Sequence, residues 1–134
     1  MTSSKHRVAL GSAAGALLLI AANTSTAAAA GPDHSQCRIF TAQHGGTCFQ
    51  WVGDKQWVLD SDPNGWTTVV HVQTNYGKDR YCNARPAAEG WGYCDFDHIE
   101  GKCVRFKLYE TKGNDKQGET GWSPWYGTEY GSPC

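Results

Sequence analysis

Metal-ligand cysteine spacings, long helical stretches and concentrated basic charge are all missing from this 134-residue chain. No CxxC or CxxH spacing occurs, so the six cysteines do not read as a zinc site. No Gly-x-Ser-x-Gly elbow is present, which removes the usual signature of an α/β-hydrolase nucleophile. Twelve Lys+Arg stand against thirteen Asp+Glu, a net charge of −1, and the basic residues are scattered. Binding of nucleic acid through bulk charge is therefore disfavoured. Methionine occurs once, as Met1, and the single Asn-x-Ser/Thr acceptor, Asn23-Thr24-Ser25, also falls in the first thirty residues. No internal repeat or domain linker interrupts the remainder.

No apolar run reaches the roughly 20 residues that a spanning helix needs. The longest, Val8 to Ala22, covers 15 residues and is preceded by Lys5 and Arg7. Small residues follow it, with Ala28 and Ala30 at the small-x-small positions, so residues 1–30 read as a secretory signal peptide cut after Ala30. There is no twin arginine, which favours the general secretory route. The expected mature protein is one secreted, extracellular domain, residues 31–134, with no membrane attachment after cleavage. Its 104 residues carry ten Lys+Arg and thirteen Asp+Glu, a net charge of −3.

All six cysteines (Cys37, Cys48, Cys82, Cys94, Cys103, Cys134) lie in that segment. An even number in an exported chain reads as disulfides, and a domain near 100 residues gains from such staples. Sequence alone leaves all pairings open. Spacing favours Cys37–Cys48 and Cys94–Cys103 as bridges between neighbouring strands, with Cys82 holding the terminal Cys134. No free thiol is left over for catalysis.

Strand signals dominate. Arg38–Ala42 is short and apolar, and Thr47–Val52 alternates with period 2 before a Gly53-Asp54-Lys55 turn and Gln56–Leu59, a hairpin pattern. Trp66–Thr74 is the strongest strand. Cys103–Tyr109 places Val104, Phe106 and Leu108 on one face and Arg105, Lys107 and Tyr109 on the other, as in a sheet with one wet side. Turn formers separate these runs, fourteen glycines and five prolines break up any long helix, and only Ala84–Glu89 suits a helical turn. Lys112–Gly121 reads as a long, exposed polar loop. The pattern predicts an all-β fold, a small antiparallel β-sandwich or barrel of about six to eight short strands stapled by three disulfides.

The richest functional signal is an aromatic run near the C-terminus: Trp122, Trp125, Tyr126 and Tyr130 within nine residues. Sixteen of the 104 residues are aromatic, more than a core this small must bury. Rings of this kind on a loop suit a protein interface or stacking against sugars, and in a different setting they cap a core. The segment Asp60-Ser61-Asp62-Pro63-Asn64-Gly65 begins like a calcium loop, but His71 stands where the bidentate Glu belongs. Asp, Pro, Asn and Gly also make an ordinary turn, and no metal or cofactor is expected. An acid–base ribonuclease needs a His, a carboxylate and a cation for phosphate. His71 or His98, Glu100 or Glu110, and Arg105 are the residues available, without any motif linking them, and no catalytic residue is assigned.

The Ala-rich leader and small disulfide-linked β-domain resemble, as a class, compact inhibitors of hydrolases secreted by bacteria. One such family, the α-amylase inhibitors, presents a Trp-Arg-Tyr triplet on a turn. Here Asp79-Arg80-Tyr81 has no Trp, and the cysteine count and length differ. The expectation is a secreted monomeric binding protein that presents an aromatic loop to an extracellular protein such as a hydrolase. The alternatives are a lectin-like carbohydrate-binding module and a small secreted hydrolase.

Overall fold

The computed structural model describes residues 31–134, so the expected leader and its cleavage point lie outside the described residues. Among the described residues, nine strands form two antiparallel sheets. In the first sheet β1 (Cys37–Ala42), β2 (Gly45–Gln50), β3 (Lys55–Asp60) and β6 (Gly92–Asp95) lie side by side in that order. In the second the order is β5 (Asp79–Asn83), β4 (Thr67–Thr74), β7 (Cys103–Lys112) and β8 (Asp115–Gln117). The short β9 (Tyr126–Gly127) pairs with the start of β7. Two 3₁₀ turns, His34–Gln36 and Ala87–Glu89, are the sole helical elements described. Among the described residues no helix is long and apolar enough to cross a membrane.

Alternation decides which side chains enter the space between the sheets. Along β7 burial strictly alternates, with Val104, Phe106, Leu108 and Glu110 buried and Arg105, Lys107 and Tyr109 half-buried on the other face. On β4, Val70 and Val72 are fully buried inside, while His71 and Gln73 face out. Phe49 and Val58 from the first sheet meet these residues and Cys82 to form one core. Each large apolar side chain so buried contributes roughly 1.5–3 kcal/mol before the entropy of ordering is counted.

The all-β sandwich agrees with the expectation, and so do the two strongest strands and the Cys37–Cys48 bridge. The other two bridges do not. Cys82 pairs with Cys94 and Cys103 with Cys134, with Cα separations of 5.9 and 6.4 Å. Nearness in sequence misleads here because the partner of Cys94 is set by which edge strands meet: β6 meets the edge strand β5, whereas β7, with Cys103, lies inside the second sheet. β6 borders the first sheet and β5 the second, so Cys82–Cys94 ties the two edges together. Cys103 is in register with Gly127, which brings the chain end to it. The expected long loop over Lys112–Gly121 is also partly ordered. β7 runs on to Lys112, turns at Gly113 and Asn114, and pairs back through β8.

Candidate functional site: the outer face of the second sheet

Two adjacent rungs of cross-strand neighbours build this face. In the first, Tyr81 of β5, His71 of β4 and Lys107 of β7 stand side by side; in the second, Asp79, Gln73 and Arg105 do. Opposed residues on one face of an antiparallel pair sit close enough for their side chains to interact. The Tyr81 ring stacks on His71 at 4.4 Å and 19°, and His71 Nε2 lies 2.6 Å from the Asp79 carboxylate. Arg105 donates through Nε and Nη2 to Gln73 Oε1 at 2.9 and 2.6 Å. Lys107 donates to Glu119 at 2.6 Å, and Lys116 reaches the second oxygen of the same carboxylate. Those bonds, Lys107 first and Lys116 second, hold Glu119 down at about 2, well below the usual carboxylate range. Next to them, Tyr109 lies under the Lys116 ammonium at 4.3 Å, and burial pushes its phenol up.

The aromatic run closes this face from the C-terminal side. Residues 118–125 form no regular strand, and Pro124 has no N–H to give. They nonetheless follow β7 closely. Thr120 N donates to the Leu108 carbonyl and Ser123 N to that of Phe106. In return the Leu108 and Phe106 amides donate to the hydroxyls of Thr120 and Ser123, both at 3.0 Å. Side-chain oxygens thus replace the carbonyls of a missing strand and satisfy the Phe106 and Leu108 amides of β7. So anchored, Trp122 and Trp125 lean over the sheet. The Arg105 guanidinium is 4.6 Å from both ring centroids, and Lys107 is 4.6 Å from Trp122. Trp122 also meets His71 edge-on at 4.9 Å. Each cation–π contact contributes about 0.5–2 kcal/mol, depending on its access to water.

The four aromatic residues singled out in the sequence part company. Trp122 and Trp125 share the sheet face. Tyr126 turns inward on β9, stacks on Phe106 at 5.9 Å and carries Arg38 over its ring. Tyr130 is 69% exposed in a turn beside the Cys103–Cys134 bridge. Sequence reading did not single out Tyr81, Gln73 and Asp79. The outward phase of β4, opposite Val70 and Val72, signals His71 and Gln73, but their neighbours follow from register alone.

The acid–base candidates are not assembled. His71 and Arg105 share the face, whereas His98 is buried at the far end, where its ring packs on Phe49 and Phe96. Glu110 is buried inside, and Glu100 is exposed in a turn. Burial opposes ionisation of Glu110, yet hydrogen bonds from Gln117 and Asn64 bring it below the ordinary value. The carboxylate beside His71 is Asp79 instead. In the calcium-like segment, Asp60 Oδ1 accepts from Asp62 N and Asn64 Oδ1 from Trp66 N, the bonding of a turn. Among the described residues no group of His, Cys, Asp and Glu is arranged to hold a metal ion.

No family model, curated protein or solved structure matches this chain. Fold and site define it in structural terms, as a disulfide-stapled antiparallel sandwich with one aromatic and cationic sheet face.

Proposed function

We propose that this is a secreted binding protein whose second sheet docks on an extracellular protein, in the manner of an inhibitor of a secreted hydrolase. The observation that carries the reading is Trp122 and Trp125 fixed over Arg105, beside Tyr81. Trp, Tyr and Arg are the residues that dominate measured interface energies. Here hydrogen bonds to Gln73 hold Arg105, and the segment that carries the indoles over it is bonded to β7 through Thr120 and Ser123, so little side-chain freedom remains to be lost on association. Three disulfides suit a protein that works outside the cell. A glycan-binding reading has one observation in its favour: Tyr81 is 55% exposed and lies parallel on His71, the form of a stacking platform.

The test is titration of secreted amylases, peptidases and glycanases with the oxidised protein. Saturable inhibition at a one-to-one ratio supports the proposal. A panel left untouched, with retention of the protein on polysaccharide, transfers the face to the glycan reading.

A further inference from the structure

A cleft of about 370 Å³ opens where β4 begins and β5 ends, a size within the range of small-ligand sites. Its walls are unlike. Trp66 and Pro63 line it from the connection between β3 and β4, and Ala84 and Ala87 from the end of β5 and the 3₁₀ turn that follows; Asp60 and Asp62 add two carboxylates. Asp60 is 4% exposed, yet it lines the cleft. One oxygen of each carboxylate is committed within the turn, Asp60 Oδ1 to Asp62 N and Asp62 Oδ2 to Asn64 Nδ2. Neither carboxylate takes part in an ion pair among the described residues. Lys112 brings its Nζ to the Gly65 rim, 4.0 Å from where a Cβ on Gly65 would sit. A cation thus approaches the cleft without pairing in it.

We propose that this cleft binds a cationic group on an aliphatic stem, the chemistry of an arginine or lysine side chain, independently of the aromatic sheet face. The head meets the second oxygens of Asp60 and Asp62, and the stem lies along Trp66 and Pro63, where a cation also gains from the indole face. The turn is already fixed by Asn64, which donates to Asp62 and Glu110 and accepts from Trp66 N, so no loop must be ordered on binding.

The experiment titrates the oxidised protein with N-acetyl-arginine methylamide and follows the Trp66 indole N–H by NMR. Its neutral isostere, N-acetyl-citrulline methylamide, serves as the control. Half-saturation is expected on the order of 1 mM for the arginine probe, with the citrulline probe about tenfold weaker. Asp62→Asn weakens the arginine probe and Lys112→Met strengthens it by removing a competing charge. Trp66→Ala, read at another cleft amide, also weakens it and guards against a folding defect in Asp62→Asn. Thermal midpoints verify that each variant is folded. An unmoved Trp66 signal, equal response to both probes, or full affinity in folded Asp62→Asn overturns the proposal.

Discussion

Asp54→Asn exposes a compensation between two buried groups at the end of the sandwich opposite the Asp60 turn. His98 N donates to Asp54 Oδ2 at 3.0 Å, and Tyr76 OH lies 3.3 Å from His98 Nδ1. Among the described residues, the buried atoms Asp54 Oδ1, His98 Nε2 and Arg80 Nε have no hydrogen-bond partner. Burial first, and nearby Glu100 second, push the Asp54 carboxyl up to about 6 from 3.8. Burial first, then Arg80, push the His98 imidazole down to about 4 from 6.5, against the opposing fields of Asp97 and Asp95.

The signs oppose each other. An acid with a raised native pKa destabilises the fold above that pKa, and the cost is relieved as pH falls from 6 towards 3.8. A histidine with a depressed native pKa contributes stability above 6.5 that is lost as pH falls towards 4. Each of these displacements corresponds to about 2–3 kcal/mol. Between pH 6.5 and 4 the pair therefore contributes little net change in the native protein. Asp54→Asn removes the favourable half and keeps the hydrogen-bond acceptor for His98 N. Relative to wild type, the variant loses about 2–3 kcal/mol between pH 7 and pH 4. Urea denaturation followed by tryptophan fluorescence at pH 7, 5.5 and 4 measures this difference. A variant whose stability runs parallel to wild type over that range shows that the two groups do not compensate each other.

Three further substitutions have defined consequences. Phe106→Ala, which empties a fully buried site between Phe40 and Tyr126, costs about 3–5 kcal/mol by thermal or chemical denaturation. Replacing Cys103 and Cys134 together by Ser opens a link of sequence separation 31 and costs about 3–4 kcal/mol. The same pair of substitutions raises amide exchange in residues 126–134 above that in β4. Glu119→Gln, which breaks pairs at a partly open site, changes stability by less than about 1 kcal/mol.

The sequence displays those parts of the fold whose cause is local. β4 and β7 are visible because their alternation carries the core on one face. The Asp60–Gly65 turn is visible because Asp, Asn and Gly bond their own backbone. β5 and β6 are not, since Asp79–Asn83 and Gly92–Asp95 are short, largely polar edge strands whose existence depends on neighbours distant in the chain. The disulfides show the same division: Cys37–Cys48 spans one hairpin, but Cys82–Cys94 depends on which sheet each edge strand joins. Arg105 and Lys107 read in sequence as a solvated strip. Only register sets them beside Gln73 and His71, and only the path of residues 118–125 brings Trp122 above them. Buried Glu110 is equally hidden, because its partner Asn64 is 46 residues away.

Which outer face docks is decided by affinity for an inhibited hydrolase, measured for Trp122→Ala on the second sheet and for Tyr93→Ala on the first. Tyr93 is 53% exposed, packs at a tilt against Trp57 and belongs to the opposite outer face. Trp122→Ala is expected to lose about a hundredfold in affinity and Tyr93→Ala to keep it, with both variants folded. Full affinity in Trp122→Ala, or loss confined to Tyr93→Ala, contradicts docking through the second sheet.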